Sequence, residues 1–314
     1  MEHQMSTVSR RSAMAGIGTI VAASALGDLL QAAEQTSGER PLIATNTYPW
    51  LTFARRAKQD FQLHTDTLLS TIAGTGINGY EPIIEGTEEF TGLADKLDRH
   101  GVVMKSIYVN SVLHDRTLAD QSLANVMGIA EAANKLGVEI VVTNPSPIRW
   151  GGSEDKSDEQ LRLQARSLDR LGQELRASGM KLAYHNHDAE LRQGGREFHH
   201  MLTATDPDNV KFCLDAHWIF RGCGDSEVAV FDALAHYHKR IVELHLRQSI
   251  GGVWTESFQS KGDIDYVEIF KMLGDTQKMP HLVLEQAVEA QSANQLSAAE
   301  AHRQGRLNLF NQIT

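Results

Sequence analysis

Cysteine is nearly absent from this chain of 314 residues. Its two cysteines, Cys213 and Cys223, have no C-x-x-C spacing. That argues against a disulfide framework and against a zinc site built on thiolates. Positive charge is also scarce: 30 Lys and Arg stand against 40 Asp and Glu, a formal net charge of -10. No basic stripe is interleaved with aromatics, so nucleic acid is not an expected partner. The apolar stretch from Ala13 to Leu30 is rich in glycine and broken by Asp28, which rules against a stable membrane span. A glycine-rich phosphate loop is missing too. The first apolar run of the main body leads into "NTYPWLTF", not into the glycine fingerprint of a dinucleotide-binding sheet. No Pro/Ser linker or composition shift divides Glu39 to Thr314.

The N-terminus reads as a processing segment. Ser9-Arg10-Arg11-Ser12 is a twin-arginine pair, followed by the Ala/Gly-rich stretch and by the small residues Ala32 and Ala33. This is the layout of a twin-arginine export signal over residues 1–33, which leaves a mature domain over 34–314. The expected location is the periplasm. That route carries proteins already folded, which suits an enzyme that loads its metal beforehand. The competing reading is an ordinary N-terminal helix.

Beyond about residue 40, short runs rich in Val, Ile and Leu alternate with longer stretches of helical period. The runs are "PLIATNT", "GINGYEP", "GVVMKSIYVN", "GVEIVVTNPSP", "MKLAYHNH", "NVKFCLDAHW", "RIVELHLRQ" and "HLVLEQ". "DEQLRLQARSLDRLGQELRASG" is amphipathic and stops at Gly179; "SLANVMGIAEAANKLG" stops at Gly137. Eight such units in about 275 residues predict a single (β/α)₈ TIM barrel. Runs that are apolar throughout are what strands covered on both faces require.

In such a barrel the chemistry sits where the strands end. The fifth run ends in His185, Asn186 and His187, the sixth in Asp215, Ala216 and His217. The seventh ends in His245, Leu246 and Arg247, the eighth in Glu285 and Gln286. Strand alternation puts His185 with His187, Asp215 with His217, and His245 with Arg247 on shared faces. Any one of these has a bland explanation, such as a helix cap or a satisfied hydrogen bond. Together His185, Asp215, His245 and Glu285 offer two imidazoles and two carboxylates. That set suits one divalent metal (Mn, Co, Zn or Fe).

"KLAYHNHDAEL", "VKFCLDAHWIF", "RIVELHLRQ", "KGDIDYVEIF" and "LVLEQAVE" resemble, in order and spacing, the sugar phosphate isomerase/epimerase family with its xylose isomerase-like barrel. That group includes ketose 3-epimerases, inosose dehydratase and endonuclease IV. The resemblance implies a divalent metal held by a Glu, an Asp, a His and a Glu on strands five to eight. The last three match Asp215, His245 and Glu285. His185 stands where the epimerases carry their first Glu. A pair of glutamates on opposite faces of the substrate is therefore not expected here, unless Glu190 swings in from the loop. The inosose dehydratase branch also has histidines at this strand end.

The expected reaction is proton abstraction α to a carbonyl of a small sugar or keto-sugar. Glu285 is the expected base, with His185 or His217 as partner acid. Isomerisation or epimerisation is the leading expectation. The alternative is a dehydratase or lyase on a keto-sugar or 3-keto-glycoside. An endonuclease IV-like phosphodiesterase and a non-catalytic sugar-binding barrel rank behind both. Substrate contacts are expected from Glu81, Asn144, His187, Arg247 and Trp218; the competing reading for His187 is a support behind the metal ligands, and for His217 a place in the wall. Trp50, Trp150 and Trp254 fall near the same rim, and Lys261 is a weak further candidate. A homo-oligomer is left open.

Overall fold

Parallel pairing in a computed structural model follows directly from the apolar runs. The structure describes residues 41–274 and 279–313. The expected export signal, residues 1–33, lies outside them. Eight strands form the barrel, apart from a short hairpin of Ser249–Ile250 with Val253–Trp254: β1 (Ile43–Asn46), β2 (Gly79–Glu81), β3 (Ser106–Tyr108), β4 (Ile140–Thr143), β5 (Lys181–His185), β6 (Val210–Asp215), β7 (Ile241–Leu246) and β8 (His281–Leu284). They make one sheet in the order β2-β1-β8-β7-β6-β5-β4-β3. Between β2 and β3 the ring is completed by Tyr80 N–H to Val103 O (2.9 Å) and Tyr108 N–H to Pro82 O (2.9 Å). Helices join successive strands, so this is a single (β/α)₈ barrel.

Local signals end the elements. Ser157 and Gln160 close a capping box at the start of the helix Asp158–Ala177. Gly179, with φ of 78°, then turns the chain back into β5, a backbone conformation that costs glycine nothing. The barrel interior holds Tyr108, Ile140, Val142, Ala183 and Cys213. Among the described residues no helix is long and apolar enough to cross a membrane.

Two departures from strand alternation decide the site. First, the β6–β7 register slips between Phe212 and Cys213. Phe212 pairs with Ile241, but Cys213 pairs with Glu243 and Asp215 with His245. Val242 is the extra residue, a bulge that re-aims every later side chain. Without it Asp215 would lie beside Leu244. Second, β6 runs straight into the helix Ala216–Gly222, whose first turn Asp215 caps by accepting from Trp218 N–H at 2.9 Å. His217 is therefore helical, and the expectation that it shares a strand face with Asp215 fails.

Candidate metal centre and pocket

His185 ends β5, Asp215 ends β6, His245 lies one residue before the end of β7, and Glu285 follows β8. Their ligand atoms all fall within 4.8 Å of one another, and all four residues are buried. His185 Nε2 is 3.8 Å from Asp215 Oδ2, and His245 Nδ1 is 3.5 Å from Glu285 Oε1. Four ligands at about 2.1 Å around a tetrahedral ion would be about 3.4 Å apart, so the spacing matches.

The polar atoms themselves argue for an ion. His185 Nδ1 and Nε2, Asp215 Oδ2 and His245 Nδ1 are buried with no hydrogen-bond partner. Buried polar atoms rarely go unsatisfied, and a cluster of them facing one point is what a metal site leaves behind. Burial pushes His185 down to about 3, so its imidazole is neutral with a lone pair free. Burial raises Asp215 to about 6, a cost that a nearby cation removes. The residues present thus fit a divalent ion with nitrogen and oxygen ligands.

Below this layer lies a second one. His245 Nε2 is 3.0 Å from Glu81 Oε1 and 3.3 Å from Glu243 Oε1. Its proton is donated downward, which leaves Nδ1 as the ligand atom. Glu81 also accepts from Asn46 Nδ2 (2.6 Å) and Ser106 Oγ (2.9 Å). Burial raises Glu81, yet its contacts with His245, the protonated Glu243 and Asn46 outweigh it and hold Glu81 ionised, at about 2. Burial and the Glu81 charge push Glu243 well above the carboxylate range, so Glu243 keeps its proton. Cys213, Glu243 and His245 also cluster within 4.8 Å. Because Nε2 is already bonded to the two acids, this layer is a brace rather than a thiolate metal site.

Above the cluster opens a cavity of about 350 Å³, lined by Tyr48, Tyr108, Trp150, His187, Trp218, Arg247 and Glu285 among others. Arg247 lies just past β7. Its Nη2 donates to Glu285 Oε2 at 2.5 Å and its Nε to Glu285 O at 3.1 Å. Its plane faces Trp254 at 4.3 Å and Trp218 at 4.8 Å, while Nη1 is buried without an acceptor. A wider groove of about 670 Å³ lies away from the cluster, along Phe53–Phe61 and Asn294–Ala299, and holds none of these groups.

The expected site residues therefore divide. His185, Asp215, His245 and Glu285 come together, and His187, Arg247, Trp218 and Trp150 line the cavity. Glu81 is a correction: it sits under His245 rather than in the cavity, because β2 ends inside the barrel with its side chain inward. Asn144 is another, since its Nδ2 ties to His185 O at 3.0 Å and braces β5. His217 faces Ser249 Oγ at 2.9 Å and belongs to the wall. Glu190 does not replace His185; its Oε2 accepts from His187 N–H at 2.6 Å. Trp50 is core, stacked on His302 at 4.0 Å, and Lys261 is exposed and off the cavity lining. Tyr48 and Tyr108 were missed. Both stand at strand ends, after β1 and at the tip of β3, so strand-end position was a signal for them as well.

A closed parallel barrel with an N₂O₂ ligand set at the C-terminal mouth defines the class. The xylose isomerase-like TIM barrel family matches residues 69–306, and the chain belongs to that family. An inosose dehydratase of Clostridium perfringens is 26% identical over 194 residues, 53% of this chain. The matched stretch spans 63% of that relative's length. A sugar phosphate isomerase/epimerase from Parabacteroides distasonis superposes with a TM-score of 0.66 at 16% identity, covering 88% of this chain and 96% of the other. The IOLI protein, solved with a zinc atom bound, superposes with a TM-score of 0.62 at 17% identity, covering 87% and 98%. These two likenesses concern the fold.

Proposed function

We propose that the chain is a divalent-metal-dependent carbohydrate lyase that dehydrates a cyclic keto-sugar or related keto-polyol. The observation that carries this reading is the asymmetry of the mouth. Glu285 is the only member of the ligand cluster that is both a carboxylate and part of the cavity wall. Across from it β5 offers His185; of the loop carboxylates that follow, Asp188 lines the cavity but stands outside the ligand cluster, and Glu190 is turned to the His187 backbone. Epimerisation between two carboxylates needs a second acid on the opposite face of the substrate. Elimination does not. Glu285 takes the proton α to the carbonyl, the bond to the β-hydroxyl breaks, and the same carboxyl returns the proton to the departing hydroxyl. One water leaves and the enzyme is restored.

His185, Asp215, His245 and Glu285 would hold an ion, whose positive charge would polarise a substrate carbonyl. Arg247 holds Glu285 by one hydrogen bond to its carboxylate and one to its backbone carbonyl, and keeps Nη1 for a substrate oxygen. Trp218 and Tyr108 give apolar faces for a ring. The inosose dehydratase relative supports the dehydratase over the isomerase or epimerase that led on sequence grounds. The zinc in IOLI supports zinc as one choice beside Mn, Co and Fe. A small-molecule sugar is the proposed substrate, and export through Arg10-Arg11 the proposed route.

The test is incubation of the zinc-, manganese- or cobalt-loaded chain with inososes, keto-sugars and 3-keto-glycosides, read by mass spectrometry. Loss of the mass of one water is expected for at least one substrate. A product of unchanged mass and altered retention would replace the lyase by an isomerase.

A further inference from the structure

Trp150 is out of place for its residue type. Tryptophan is highly buried on average, yet Trp150 is 55% exposed. It is not on a slack loop. Arg192 ties the loop down through Nη1 to Gly152 O (3.0 Å), Nη2 to Glu154 O (3.0 Å) and Nε to Asp155 Oδ1 (2.8 Å). Arg149 adds a bond to Glu154 at 2.9 Å. The indole itself stands edge-on to His187, with centroids 5.2 Å apart. His187 in turn lies 4.7 Å from the His185 ring at the metal cluster and 5.4 Å from Trp218. The cavity is thus lined in tiers: Glu285 and Arg247 buried at the floor, His187 and Trp218 less buried above them, and the exposed Trp150, Asn110 and Asp188 at the mouth.

The spacing of the tiers has a chemical counterpart. With bonds of about 1.5 Å, a six-membered ring is about 3 Å across, and two rings joined through one oxygen have centres about 5–6 Å apart. Trp150 packs edge-on against His187, so it stands one ring further from the cluster than the His187 tier. A ring whose carbonyl lies at the cluster sits beside His187 and Trp218, and a second ring linked to it reaches the exposed face of Trp150. Apolar sugar faces stack on an aromatic ring, and Asn110 and Asp188 offer hydrogen bonds to its hydroxyls. A substrate of one ring would leave the braced, solvent-facing indole without a role.

We infer that Trp150 forms an outer subsite for the second ring of a glycoside, so the substrate is a keto-glycoside rather than a free monosaccharide. This rests on the cavity assigned above and narrows its substrate class. The test is binding of glucose, cellobiose, maltose and trehalose to the full zinc-loaded chain by calorimetry, for the wild type, Trp150→Phe and Trp150→Ala. At least one disaccharide should bind about three- to ten-fold more tightly than glucose, the range a stacked ring contributes. Trp150→Ala should abolish that preference, and Trp150→Phe should keep part of it. Equal affinity for glucose and every disaccharide, or a preference that survives Trp150→Ala, overturns the inference. Melting curves of the two variants check that the exposed position leaves the fold intact. If the preference holds but no keto-sugar loses water, the lyase reading fails and the subsite stands.

Discussion

At the scale of single residues, His245 shows how the site is specified. Its two nitrogens do different work because Glu81 and Glu243 claim Nε2 from below. Partners of this kind typically change metal affinity by about 10–100-fold when removed. Glu81→Gln loses the charge but keeps the shape, and should weaken zinc binding by that factor in a competition titration. Unchanged affinity would mean that Glu81 does not orient His245. Glu285 carries the proton chemistry in the proposed reaction. With metal in excess, Glu285→Gln should still bind substrate while its turnover falls by about 10²–10⁴-fold, the usual contribution of a general base. Near wild-type turnover with metal bound would move the base elsewhere, with His187 the next pocket residue to change.

At the scale of elements, the end of β5 is held by groups outside the metal cluster. Asn144 from β4 grips His185 O, and Glu190 grips His187 N–H. Behind them Lys156 is buried against Glu197 at 2.6 Å. Burial, with Glu197 nearby, pushes Glu190 up to about 7 from 4.5. The folded chain keeps a proton there that the unfolded chain has released. This contribution to stability is full below about pH 4.5 and is lost as pH rises through about 7. Denaturant unfolding at a series of pH values should therefore show a fall across that window that flattens in Glu190→Gln. An identical slope in the variant would mean that Glu190 titrates in its ordinary range. The bulge at Val242 is the other decision made at this scale, since it alone sets Asp215 beside His245.

At the scale of the molecule, stability and metal are linked. The four clustered residues come from the ends of four successive strands, so an ion held by them would tie together a contiguous sector of the barrel. A ligand that binds only the folded state adds about 2.7 kcal/mol at one hundred times its Kd. Asp215→Ala and His245→Ala should lose metal and activity together, measured by elemental analysis and assay, and their melting points should stop responding to added zinc. A variant that keeps stoichiometric metal would remove that residue from the ligand set. Export belongs to the same scale. Replacing Arg10 and Arg11 by Lys should hold the protein in the cytoplasm of an expressing cell, measured by fractionation; unchanged export would refute the twin-arginine assignment.

Eight apolar runs with helical spacers were enough for the barrel, because a strand covered on both faces must be apolar throughout and a parallel partner needs a crossover helix. The cluster was legible for a related reason: an ionisable residue at the end of such a run is costly to bury, so His185, Asp215, His245 and Glu285 stood out together. What the runs could not convey was direction. Glu81 and Asn144 read as cavity residues, but one turned under His245 and the other into the β5 backbone. His217 left its strand face because Asp215 was needed as a helix cap, and Glu190 stayed off the cluster because the His187 backbone claimed it. Residue type and strand position are properties of the chain taken locally. Register, caps and the partner of each buried polar atom are settled only when neighbouring strands compete for the same hydrogen bonds, and that competition exists only in the folded barrel.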